Sequence, residues 1–329
     1  MDGTSIQLRE RFCKDCNIPL RLYQSPYFEE RLRLYDPFYG TLKKWDTFVR
    51  ELEKYKCEQD YFEYYNRVRE AAITSIKNTV SFEKFNIENM DNYSIGNSKF
   101  SNHDIFSLSN DSKTFISIDM CKANFSALRI FYPGMFVGKS GTAKSWEEFI
   151  GMFTDNKHII NSKYIRQVIL GNCNPRRQAV IEKHIMDEIL SYLLSLLEPD
   201  IKRDSVVFFS NDEIVIDVSE NGCGGYVKAF ISKGLSQISR IIPVPLKIEL
   251  FTLHAIPGTR GYYKEIYGEN GEVTYELKCL DSYILPFVLR KFRGEDIKED
   301  DKVFYHNGAL AKYIEVPQIE LGEIQKCQV

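Results

Sequence analysis

Apolar residues recur at helical spacing in the first part of this chain, and helical and strand-like patterns alternate through the rest. Trp45, Phe48, Val49 and Leu52 share one face of a predicted helix, and Tyr61, Tyr64, Tyr65 and Val68 line a second. Helix packing accounts for that tyrosine-rich face better than a base-stacking platform does. Thr114 to Asp119 is an apolar strand pattern that ends in a carboxylate, and Met120 to Arg129 turns into a helix. Short helices are predicted over Trp146 to Phe153 and Asn161 to Leu170. Asn174 as N-cap and Pro175 at the first position then open a long helix. Its apolar stripe runs from Ile181 through Ile185, Ile189 and Leu193 to Leu197, and Pro199 stops it.

The apolar runs Val206 to Phe209 and Ile214 to Val218 flank Ser210-Asn211-Asp212-Glu213, which predicts a hairpin with a tight acidic turn. Tyr226 to Ser239 has helical periodicity and Leu246 to Ile256 alternates like a strand. Arg260 to Tyr267 and Glu272 to Cys279 form a second hairpin around Asn270-Gly271. A helix over Asp281 to Phe292 and a short strand near Val303 to Tyr305 follow. In the first forty residues Pro19, Pro26 and Pro37 are expected to break any long helix, leaving an extended arm or short helices. The Asn- and Ser-rich stretch from Asn86 to Ser112 lacks periodicity and reads as a connector. The pattern divides the chain into a mainly helical region 1–112, an α+β core 113–240 with a helical insert at about 134–200, and a mixed region 241–329.

Composition narrows the class. With 43% hydrophobic and 13% aromatic residues in 329, the chain is expected to fold around a sizeable core. The net charge of −3 gives no global nucleic-acid signal, so any basic surface must be local. No apolar run is long enough to cross a bilayer, so the expectation is a soluble, cytoplasmic protein without membrane contact. The 8 cysteines are scattered, and Cys13-Lys14-Asp15-Cys16 has half of a zinc spacing with no second pair at zinc-ribbon distance. Gly138-Lys139-Ser140 matches the end of a phosphate-binding loop, but Pro133 stands where the first glycine is required, so the segment is read as an ordinary loop.

The chemistry lies in the acids. Carboxylates at the ends of apolar strands repel each other and are poorly solvated, and a divalent cation relieves both costs. Asp119, Asp212 and Glu213 are therefore the expected metal ligands, for Mg2+ or Mn2+. Arg176 and Arg177 fall in the first turn of the long helix, where the free N–H groups already favour anions. With Lys163 and Arg166 one short helix earlier they make a basic cluster suited to phosphates.

Asp119-Met120-Cys121-Lys122-Ala123-Asn124-Phe125-Ser126 resembles the first palm motif of reverse transcriptases, and Leu128-Arg129 resembles the end of the corresponding helix in family A DNA polymerases. Ser210 to Val218 resembles the family A hairpin, with Asn211 where that family has histidine. The resemblance implies an α+β fold with a palm-like antiparallel sheet and a fingers-like helical insert. It also implies two-metal nucleotidyl transfer by Asp119, Asp212 and Glu213. Lys163, Arg166, Arg176 and Arg177 would then hold the incoming nucleoside triphosphate, with Asn124 beside its sugar, and the partner would be a DNA or RNA primer-template. The Ser-Asn-Asp-Glu turn also resembles the palm of tRNA-His guanylyltransferases, which implies addition to RNA ends. A palm-like accessory protein that binds nucleic acid, or a protein through its N- or C-terminal region, is the non-enzymatic alternative.

Overall fold

The computed structural model describes residues 4–96, 105–138, 141–197, 203–221, 224–268 and 270–321. Asn97 to Asp104 of the connector, Lys139 and Ser140 of the glycine-rich loop, Pro199 and Gly222 lie outside the described residues.

Five helices lead the chain: α1 (Ile6–Asp15), α2 (Tyr27–Tyr39), α3 (Thr41–Leu52), α4 (Glu58–Lys77) and α5 (Val80–Ile87). Ser5 starts α1 by accepting from the Leu8 N–H, and Thr79 starts α5 by accepting from that of Phe82. Pro37 does not break α2 as expected. It sits in the last turn, and the helix ends three residues later at Gly40 in the left-handed conformation (φ 56°), from which α3 departs. The tyrosine-rich face of α4 is core: Tyr61 and Tyr65 are buried, and the Tyr64 hydroxyl bonds Thr154.

Strand β1 (Thr114–Met120) is followed by α6 (Ala123–Phe131), the two-residue strands β2 (Val137–Gly138) and β3 (Gly141–Thr142), and α7 (Trp146–Ile150). Then come α8 (Lys157–Asn161), α9 (Lys163–Gly171) and α10 (Pro175–Leu197). The helix expected over Asn161 to Leu170 is interrupted because Ser162 caps α9 through the Ile165 N–H. Asn174 does not act as a side-chain cap. Its backbone is left-handed (φ 61°) and its amide donates to Asn86.

The acidic hairpin β4 (Val206–Phe209) and β5 (Glu213–Asp217) comes next, then α11 (Gly224–Ile238), β6 (Leu246–Ala255), β7 (Tyr262–Tyr267) and β8 (Val273–Lys278). Helix α12 (Leu285–Arg293) and the hairpin β9 (Val303–His306) and β10 (Ala309–Lys312) complete the described chain. One antiparallel sheet runs β4-β5-β1-β6-β7-β8. Its first four strands, taken with the helices between β1 and β4 and with α11, follow the split βαββαβ topology.

Among the described residues, α-helices cover one face only. Ile116, Ile118 and Met120 point into a core shared with α6, α10 and α11, and the same core continues through α1–α4, so the three regions pack as one body. The opposite face has two halves. Phe115, Val215, Phe251, Leu253 and Tyr262 form an apolar cluster capped by Ile105 and Phe106, and the rest carries charge. The C-terminal region is tied back by Asp301, which is 2% exposed and accepts from Arg31 Nη1 at 2.6 Å and Arg290 Nε at 2.9 Å.

Candidate functional site

The strand period of two sets the site. Phe115, Ser117 and Asp119 alternate onto the helix-free face, and the register puts Asp119 opposite Glu213 on β5 and opposite Lys247 on β6. Asp212 stands in the turn just before Glu213, and its carbonyl accepts from the Met120 N–H at 2.7 Å, so the turn is stitched to the end of β1. Ser210 builds that turn. Its hydroxyl accepts from the Glu213 N–H at 3.0 Å and donates to Asp212 Oδ1 at 3.0 Å, while its own N–H donates to the Glu213 carbonyl. The three acids expected from sequence are thus brought to one end of one sheet face.

Their electrostatics follow from that placement. Burial raises the Asp119 pKa and the Asp212 carboxylate raises it further, against Lys247 and Lys264. Burial also raises Glu213, opposed by Lys264 and reinforced by Asp119. No hydrogen bond or ion pair ends on the Asp119 carboxylate among the described residues. Two places along the strand, the Ser117 hydroxyl is buried without a partner.

Three further groups belong here that the sequence reasoning missed. Lys264 on β7 is 4% exposed, lies 4.3 Å from the Phe251 ring centroid and reaches Glu213 at 3.9 Å. Burial lowers its pKa, and Glu213 opposes that fall. Lys247 is the cross-strand neighbour of Asp119 and pairs with Glu249 at 2.5 Å. Glu182 on α10 is pushed up to about 7 by burial and by the Asp212 charge. Lys264 carried a readable signal, since it occupies an inward position between Tyr262 and Ile266. Glu182 carried none, because its nearness to Asp212 exists only in the folded chain.

The basic residues do not act together. Arg177 serves the scaffold: its Nε donates to the Phe85 carbonyl at 2.8 Å and its Nη2 to that of Glu88, tying α10 to the C-terminal end of α5. Arg176 and Lys163 are exposed. Arg166 is half-buried with its Nε unpartnered, near Glu147. Glu147 in turn takes both oxygens to Lys122 Nζ, at 2.6 and 2.7 Å. Burial pushes Glu147 up, but Lys122 and Arg166 carry it below the ordinary carboxylate value. Lys122 holds a left-handed backbone (φ 52°) directly before α6, a local cost of about 1 kcal/mol that its ion pair helps maintain. Asn124, in the first turn of α6, accepts from the Phe125 N–H at 2.9 Å.

Among the described residues no three His, Cys, Asp or Glu side chains stand close enough to hold a metal ion by themselves. The donor set is two mutually repelling carboxylates, Asp119 and Asp212, with Glu213 opposite Asp119. That fits magnesium, which is commonly bound by one or two carboxylates and completed by water and substrate phosphates. No described helix is long and apolar enough to cross a membrane. No protein-family model, curated protein or solved structure matches the chain.

Proposed function

We propose that this chain is a nucleotidyltransferase, a template-directed nucleic-acid polymerase that works at Asp119 and Asp212 in the cytoplasm. The observation that carries the proposal is the convergence of Asp119 and the Asp212-Glu213 turn at one end of the helix-free face of a split βαββαβ sheet. Magnesium or manganese, when bound, supplies the charge neutralisation that in-line displacement at phosphorus requires.

Asp119 and Asp212 would hold that charge, and Glu213, balanced by Lys264, would support them. Asp119 and Glu213 are half-buried and Asp212 is exposed in the turn, so the site is open to a ligand at the strand end while burial strengthens the field of the first two. Arg166 is the better phosphate contact of the basic cluster, because its guanidinium has an unpartnered N–H whereas Arg177 is bonded to carbonyls. Asn124, in the first turn of α6 and two residues after Lys122, would offer its side-chain amide to a sugar hydroxyl.

The test is incorporation of labelled deoxyribonucleotides and ribonucleotides on primed DNA and RNA templates with Mg2+ or Mn2+. The proposal expects metal-dependent extension that an Asp119→Ala, Asp212→Ala double variant loses. Untemplated addition to RNA ends would replace it with the end-adding reaction, and no incorporation under any condition would refute it.

A further inference from the structure

A second concave feature lies at the β8 edge of the sheet, the edge opposite the β4-β5 hairpin that carries the acidic turn. A cleft of about 430 Å³ opens between the end of α1, the segment that follows it, α9 and the outer strand β8. Its walls carry three phenol rings, Tyr23, Tyr39 and Tyr164, and three cations, Lys14, Arg21 and Lys278. Lys14 is paired to Glu10 at 2.7 Å and Lys278 to Glu276 at 2.7 Å. Arg21 is exposed and pairs with no carboxylate among the described residues. The Arg11 guanidinium lies over the Tyr164 ring, 5.1 Å from its centroid.

The cleft and the carboxylates share a surface. Lys278 registers with Tyr262 and Glu276 with Lys264, so β8 presents both charged residues on the helix-free face. Lys278 is close enough to Glu213 to lower its pKa. Three strand steps separate β1 from β8. Across the strands that is roughly 14 Å at about 4.8 Å per step. The register adds a shift along them, from the Asp119–Lys247 row to the Ala255–Tyr262–Lys278 row, so an extended strand of several nucleotides is needed to span both.

We propose that this cleft binds one nucleotide of a single-stranded nucleic acid whose neighbouring nucleotides run across the sheet face toward Asp119 and Asp212. Aromatic rings take a base of any identity by stacking, and Arg21 with Lys278 takes the flanking phosphates, which is the combination that binds single strands without sequence preference. The inference rests on the polymerase reading for the direction of the strand, but not for the cleft's affinity. It also gives Lys163 a place, since it adjoins Tyr164 at the start of α9.

The test is fluorescence anisotropy with labelled eight-nucleotide oligo-dT and oligo-rU, in metal-free buffer over a salt series, on the full chain. Arg21→Glu and Lys278→Glu should each weaken binding several-fold for both oligonucleotides, and each should lower the log-log salt slope by about one. Oligonucleotides carrying 5-iodouracil should cross-link to peptides containing Tyr23, Tyr39 or Tyr164, whereas free thymidine monophosphate should compete poorly. Unchanged affinity and slope in both variants, or cross-links confined to other segments, would overturn the assignment. The two readings fail separately. Cross-linking in the cleft without any incorporation leaves the cleft standing and removes the polymerase, and incorporation with cross-links elsewhere does the reverse.

Discussion

Asp15 is the residue on which the position of the cleft depends, and replacing it tests how the scaffold is held. Its carboxylate is fully buried and accepts three hydrogen bonds: from the Tyr65 hydroxyl at 2.8 Å, from Ser162 Oγ at 2.9 Å and from His158 Nε2 at 3.0 Å. Those donors belong to α4, to the cap of α9 and to α8, so one side chain at the end of α1 fixes three helices. Arg11, one turn back, is charged and has buried nitrogens without partners, with Asp15 raising its pKa against burial.

Asp15→Ala leaves three donors without an acceptor and a half-buried guanidinium without its counter-charge. Removing one member of such a buried charged network costs about 3–5 kcal/mol. For a chain of 329 residues the unfolding entropy is about 0.7 kcal/mol per kelvin if it melts as a unit, so Tm should fall by roughly 4–7 °C. Asp15→Asn keeps one acceptor oxygen but turns an NH2 group toward donors, and should lose about 1.5–3 kcal/mol. Scanning calorimetry and chemical denaturation measure both variants. A fall of less than about 1 °C for Asp15→Ala would refute the view that this carboxylate holds α1 against α8 and α9.

Glu182 gives a pH signature: its pKa is raised to about 7 in the fold, so the stability it contributes is complete below the unfolded value and is lost as pH rises through about 7. Wild-type Tm should therefore fall between about pH 5 and pH 8 relative to Glu182→Gln, and parallel curves in melts across that range would contradict the placement beside Asp212. Arg177→Ala should destabilise the chain by about 1.5–3 kcal/mol through the lost carbonyl bonds while leaving nucleotide KM unchanged in incorporation assays. An unchanged Tm with a raised KM would return Arg177 to the phosphate site. Asp119→Asn should raise Tm by about 1 °C, because it removes a charge that burial and Asp212 both disfavour. A lowered Tm would show that the acids are not strained against each other.

Much of the architecture was legible in periodicity. The long helix α10, the tyrosine-bearing helix α4 and both hairpins follow from apolar spacing and turn residues, since their burial faces are fixed by local geometry. The acids of the site were legible for the same reason: a tight polar turn between two apolar strands can only lie at a sheet end. What depended on distant partners was not legible. Arg176 and Arg177 obeyed the helix N-terminus rule as a pair, but the free carbonyls at the end of α5 capture Arg177, and no local pattern announces them. Asn174 has the right composition for a cap, yet Asn86 takes its amide. Pro37 costs α2 one bond, the one to the Arg33 carbonyl, and Arg293 Nη1 donates to that carbonyl instead.

The most direct measurement of the central claim is manganese binding by electron paramagnetic resonance, with and without a nonhydrolysable nucleoside triphosphate. Because two carboxylates and a substrate complete the site, wild-type protein should bind Mn2+ much more tightly with the triphosphate present, and an Asp119→Asn, Asp212→Asn variant that still melts cooperatively should lose that binding. Equal manganese binding by the two proteins, or none by the wild type with the triphosphate present, would contradict it.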